Sequence, residues 1–234
     1  MKRFWDKAEA EEAEGGFAIL LDGRPVRLPG GGKLRVATRP LAVAIAEEWQ
    51  QAGGAKGGAM KPEDVPLTRL VGTAEDRIAP NPEGTITAIA NYGASDLLCY
   101  RAPESRLAAR QAEAWDPWLA WAARSLDAPL RVTTGVMPIA QPDQAVRALH
   151  RAVATHPPLI LSALGVAVPA MGSLVLGLAL AGGHVSAEEA HRLAILDESF
   201  QEEFWGTDPE ATAKRAAAAA DVALSARLIH LARQ

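Results

Sequence analysis

Phe17 to Thr38 reads FAILLDGRPVRLPGGGKLRVAT, short runs of strand-forming residues separated by clusters of turn formers. Asp22 and Gly23 suit the positive φ angles of a tight hairpin, so the stretch predicts a small antiparallel sheet. Within it, LPGGGKL (Leu28 to Leu34) superficially matches a phosphate loop. That loop precedes a helix, whereas GGGK here joins two strands and reads as a hairpin tip. Downstream, Thr38 is placed to cap a helix that tolerates Pro40 in its first turn. Leu41, Ala44, Ile45 and Trp49 form one apolar stripe along it, which should pack on the sheet.

Glycines then dominate QAGGAKGGAMKP (Gln51 to Pro62), a loop because each glycine raises the entropy cost of ordering the backbone. The role of the Gly53 to Gly58 stretch is not readable from sequence. VPLTRLVGTAEDRI (Val65 to Ile78) predicts a helix from about Leu67, and NPEGTITAIANYG a second one capped at Asn81. DLLCYR (Asp96 to Arg101) has the composition of a short strand. These segments define an expected α+β domain, residues 1–102.

Residues 103–234 show only helical patterns and are expected to form an all-α domain. Leu107, Ala114, Trp115, Trp118, Leu119 and Ala122 share a face, with Pro117 expected to kink or restart that helix at an Asp116 cap. Ser186 and Glu189 spell a capping box. A last helix begins near Asp208 and Pro209.

Several functional classes are disfavoured by composition. The net charge of -4 with interspersed signs argues against nucleic acid as a partner. Cys99 is the single cysteine and sits in an apolar run, which suits a buried thiol in a reducing compartment. The start, MKRFWDKAEAEEAEGG, has neither a secretory nor a transit pattern, so a cytoplasmic location is expected. Leu159 to Ala181 is uncharged and long enough to span a bilayer. Pro169 divides it into segments of core-helix length with no flanking basic cluster, so a buried helical hairpin is favoured over a membrane-associated helical protein.

No catalytic residue, cofactor-binding motif or metal site is expected. Walker, dinucleotide, HExxH and CxxC signatures are all missing, and the five histidines do not cluster. His150 fits a satisfied boundary residue, and His184, in a glycine-rich loop, has no assignable role. Carboxylates concentrate in LDESFQEEFWG, Leu196 to Gly206. At 100° per residue, Leu193, Leu196, Phe200 and Phe204 make a core face, with Asp197 at its edge needing a partner such as an arginine. His191, Ile195, Glu198, Glu202 and Trp205 lie opposite. Like charges one turn apart disfavour the helix unless a partner compensates, so this face suits docking. A carboxylate-dependent hydrolase is the alternative, and it fits poorly because two acids on one helix face do not flank a cleft.

Taken together, LDGRPVRLP and KLRVAT, LAVAIAEEWQ, VPLTRLVGTAEDRI, SDLLCYR, QAEAWDPWLAW and LDESFQEEFWG stand in the order of a known family across nearly the whole chain. The chain resembles the assembly chaperones of the F1 sector of ATP synthase that bind the α subunit. The resemblance implies a non-enzymatic molecular chaperone with an α+β domain, a helical domain and no cofactor, which holds the unassembled F1-ATPase α subunit. A bacterial cytoplasm and a monomer are expected. The resemblance also places Trp49 in a motif the fold depends on. It points to Asp197, Glu198, Gln201, Trp205 and Gly206 as the functional segment. Glu202 enters the expected partner-binding set from its helix face alone, since neither it nor Glu203 stands at a position of the family pattern. Val65 replaces the family's usual methionine, a conservative change.

Overall fold

The computed structural model describes all residues from Met1 to Gln234. The chain forms two compact units, each described by itself. The first comprises Met1–Pro82, Pro158–Ala163 and Arg227–Gln234, and the second Glu83–Pro157 and Leu164–Ala226. The expected boundary at 102 therefore falls inside the second unit. Asp96 explains the placement, because its carboxylate accepts hydrogen bonds from the amides of Leu98 (3.0 Å) and Val175 (2.9 Å).

In the first unit, strand β2 (Gly16–Leu21) is central to an antiparallel sheet and pairs with β1 (Ala8–Ala13), β3 (Arg24–Pro25) and β4 (Arg35–Val36). Ala18, Ile19 and Leu21 of β2 are buried. The turn between β2 and β3 carries Asp22 at φ 47° and Gly23 at φ 75°, as the DG pair predicts. Asp22 also accepts bonds from the amides of Asp6 and Lys7, which hold its carboxyl below the usual range. Strand β1 lies outside the expected elements; only its first four residues, AEAE, alternate apolar and acidic side chains.

Helix α1 (Arg39–Gln51) buries Leu41, Ala44, Ile45 and Trp49. Thr38 precedes it without a side-chain cap bond and instead donates its hydroxyl to the Leu231 carbonyl at 2.6 Å. Helix α2 (Pro66–Thr73) continues into a π-turn over Ala74–Ile78. Glu48 receives the amides of Leu67 and Thr68 at its start, and burial raises the pKa of that carboxyl. Next to it, Trp49 donates Nε1 to Thr68 Oγ1 (2.9 Å), while its carbonyl accepts Nε1 of the fully buried Trp5 (3.0 Å). The Gly53–Gly58 stretch is held by Arg3, whose guanidinium reaches the carbonyls of Gln50 and Gly54 at 2.6 and 2.7 Å. One guanidinium thus satisfies backbone carbonyls at the start of the glycine stretch.

The second unit is mostly helical: α3 (Glu83–Ala90), α4 (Ser105–Ser125), α5 (Asp143–Ala154), most of α6 (Pro158–Met171), α7 (Leu174–Gly182), α8 (Ala187–Ala194), α9 (Leu196–Trp205) and most of α10 (Pro209–Leu231). DLLCYR is mainly a 3-10 turn at Leu97–Cys99, leaving only Tyr100–Arg101 as strand β5. Its parallel partner, Thr133–Thr134 (β6), corrects the expectation of a strand-free second half. Helix α4 runs on through Pro117 without a restart, and Asp116, instead of capping, pairs with Arg101 at 2.5 Å.

The uncharged run becomes α6 and α7, joined through Gly172 in the left-handed region (φ 64°) and Ser173, which caps Leu176. Helix α7 is buried from Leu174 through Ala181, so it is apolar all round because it runs through the core. Trp115, Leu119, Ala167, Met171, Val175, Leu193 and Val222 pack in that core, and Trp115 donates Nε1 to the Leu193 carbonyl. No helix is long and apolar enough to cross a membrane.

Candidate functional site

Ser186 caps α8 by accepting the Glu189 amide at 3.1 Å, but Glu189 does not close a reciprocal box and pairs with Arg192 instead. The helix then breaks. Ile195, at φ −101° and ψ 20°, separates α8 from α9, so the two do not share one continuous 100° wheel. Leu193 and Phe200 are buried as expected, Leu196 is half-buried, and Phe204 is 55% exposed. Phe204 stands at the end of a ladder rather than in the core. Phe200 lies 5.1 Å from it, and the guanidiniums of Arg110 and Arg106 sit over the two rings at 4.9 and 5.4 Å.

The carboxylates of α9 divide by partner. Asp197 is half-buried and accepts Nε2 of Gln111 at 2.7 Å, an amide in place of the expected arginine. Gln111 is 1% exposed, and its Oε1 takes the Ala102 amide, also at 2.7 Å. An amide can accept and donate at once, which a guanidinium cannot, so only such a group bridges those two partners. Glu202 is half-buried against Arg215 of α10. Glu203 is paired with Arg110, which holds its carboxyl below the usual range. Glu198 has no bonded partner. It stands exposed with Gln201 on the outer side of the helix.

Trp205 ends α9 with 85% of its surface exposed. Gly206 follows at φ 79°, a left-handed value that favours glycine, and its amide donates to the Glu202 carbonyl. Glu198, Gln201, Glu202, Trp205, Gly206, Asp208 and Arg215 line a cleft of about 650 Å³ between α9 and α10. The structure thus brings Glu198, Gln201, Glu202 and Trp205 together on one side, while Asp197 turns toward Gln111. Trp49 belongs to the first unit and lies in the interior beside Trp5.

For the hydrolase alternative, Glu198 and Glu202 would have to stand on opposite walls of a cleft with one in an apolar pocket. They lie one turn apart on the same helix, and Glu202 is tied to Arg215. No group of three or more His, Cys, Asp or Glu is placed to hold a metal. Cys99 is buried, which pushes its thiol up to about 12, out of the reactive range. His184 packs against Trp121 with the two rings tilted and their centres 5.3 Å apart.

Sequence reasoning missed Gln111, Arg110 and Arg215. Gln111 carried a readable signal: it stands four residues before Trp115, on the buried stripe of α4, where a polar side chain demands partners. The two arginines carried none.

The ATP12 chaperone protein family matches residues 2–123, over half of the chain. The chain belongs to that family. Atp12 from Paracoccus denitrificans, known from a crystal structure, is 43% identical, with a TM-score of 0.92 over 99% of this chain and 98% of that one. A mutant of the same Paracoccus protein matches equally well. A crystal structure from Agrobacterium tumefaciens is 38% identical with a TM-score of 0.90, covering 98% of this chain and 85% of that one. The family is thus the chaperone family that the sequence blocks resemble. Its matching region ends inside α4, so the family match itself does not reach α9. The Paracoccus match does, because it spans the full length.

Proposed function

We propose that this ATP12-family chaperone is non-enzymatic, binds the unassembled α subunit of F1-ATPase and promotes assembly of the F1 sector. It works as a monomer in a bacterial cytoplasm and needs no cofactor. An unassembled subunit exposes surface that its neighbours later cover, and such surface aggregates unless something holds it. The helical domain, 103–234, supplies the holding surface through Glu198, Gln201, Glu202 and Trp205, with Asp197 fixing α9 in place through Gln111.

The observation that carries this reading is the contrast along α9. Asp197, Glu202 and Glu203 each have a partner within the chain, whereas Glu198 has none and stands near a tryptophan that is 85% exposed. An exposed indole beside an unpaired charge is a common composition of binding hot spots. Gly206 lets the chain turn away behind Trp205, and Trp49 keeps the first unit folded.

The test is co-purification of the α subunit with Glu198→Lys and Trp205→Ala variants whose circular dichroism matches wild type. Loss of the α subunit is expected. Retention at wild-type level would remove both residues from the interface. Gel filtration of the free protein at a single-chain mass checks the monomer.

A further inference from the structure

A second surface lies on the other side of α9. Arg110, Ala114, Pro117 and Trp118 of α4 face Leu193 of α8 and Leu196, Ser199 and Phe200 of α9 across a groove of about 660 Å³. Its floor is apolar. Its charged rim is neutralised within the chain, because Arg110 pairs with Glu203, and Arg192 pairs with Glu189. A ligand bearing several charges would therefore have to break existing ion pairs to find partners here.

One place on the wall departs from this balance. Pro117 has no N–H, so the carbonyl of Glu113 loses the donor that an i+4 residue supplies elsewhere in a helix. The Glu113 side chain stands exposed at the same point, on the same groove, with no ion-pair partner. Glu113 is thus the one acid on the groove without an ion-pair partner, and it stands beside an apolar floor. The chemistry that fits is a lysine or arginine flanked by apolar side chains, with its cationic head at Glu113 and its neighbours on Pro117, Trp118 and Leu196.

We propose that this groove is a docking site for a segment of the client protein composed of apolar residues around one basic residue. The proposal rests on the chaperone reading above and deepens it, since it gives α9 a client-facing surface on each side. The apolar floor supplies binding energy, and the Glu113 carboxylate sets the register of the segment.

Ser199 is exposed on the groove and not in the core, so Ser199→Trp fills the groove with little risk to folding. Glu113→Lys reverses the charge at the acceptor point and is likewise exposed. Affinity for purified F1 α subunit is measured for wild type, both variants and Glu198→Lys, with thermal melts confirming the fold. Each groove variant is expected to bind at least tenfold more weakly than wild type, and Glu113→Gln less severely than Glu113→Lys. Wild-type affinity in both groove variants, alongside weakened Glu198→Lys, would overturn the groove while leaving the chaperone reading intact. Failure of the wild-type chain itself to bind the α subunit would instead overturn that reading. A further readout is independent of affinity: because Cys99 is buried, Ser199→Cys carries a single accessible thiol, and a fluorophore there should shift on addition of the α subunit. No shift while the labelled protein still binds would also count against the groove.

Discussion

Asp96 is fully buried, and its carboxylate accepts the amides of Leu98 and Val175. Burial pushes its pKa up from 3.8 to about 6, with those hydrogen bonds opposing the rise. A tenfold change in an ionisation equilibrium corresponds to about 1.4 kcal/mol, so ionising this group costs the folded state roughly 3 kcal/mol. The direction follows from proton linkage. Below 3.8 the carboxyl is protonated whether folded or unfolded, and nothing is lost. As pH rises from 3.8 to about 6 the unfolded chain ionises first, so stability falls across that window and levels off above it. Asp96→Asn is neutral at every pH and provides the reference. Urea unfolding of both proteins between about pH 4 and pH 7.5 should show the stability gap moving by roughly 2 kcal/mol in the variant's favour. Other titrating groups change both curves alike and cancel in the difference. A gap that stays constant would refute the reasoning. A gap that moves toward the wild type would mean that the amides at the start of α7 outweigh burial and hold the carboxyl below its ordinary value.

Gln111→Leu removes the group shared by Asp197 and the Ala102 amide, leaving both without a partner; a loss of about 2–4 kcal/mol in chemical denaturation is expected, with weaker α-subunit binding as a second readout. Trp49→Phe keeps most of the buried ring but deletes the bond to Thr68, and should cost about 1 kcal/mol plus a small packing loss, against roughly 3–5 kcal/mol for Trp49→Ala. His191 has a buried Nε2 with no hydrogen-bond partner, so His191→Leu is expected to raise the melting temperature by a few degrees through relief of about 1 kcal/mol of desolvation.

The sheet was legible because its determinants are local. Asp22 and Gly23 fix a turn by backbone conformation alone, and the apolar run of β2 has no other way to be half-buried. The uncharged run was legible as a pair of core helices but its dividing point was not: Pro169 lies inside α6, and the break falls at Gly172 and Ser173. Trp5 was not legible. It is fully buried and bonded to the Trp49 carbonyl, but it stands in a polar segment with no periodicity to flag it. Pro117 misled for the converse reason: a local rule predicts a break, and tertiary packing of Trp115 and Leu119 carries the helix through. Thr133 and Thr134 pair with β5 from more than thirty residues away, which no window of sequence can report.

The candidate site was half legible, and the boundary between the halves has a physical cause. A helical wheel assigns faces correctly only while the helix is continuous and while every apolar residue on one face has something to pack against. Both conditions fail at α9. Ile195 leaves the helical conformation, so α8 and α9 turn independently, and Leu193 remains in the core while Phe204 emerges at the surface. Arg110 and Arg106 cover the phenylalanine rings from outside, a role that can be taken only by side chains about ninety residues away in sequence. The wheel did isolate Glu198 and Trp205, because an acid without a helical partner and an aromatic at the last turn are local facts. It treated the opposite face as interior. That face is interior only at Leu193 and Phe200; elsewhere it opens as the groove that Pro117 and Glu113 border, so the same wheel that singled out Glu198 and Trp205 concealed the groove.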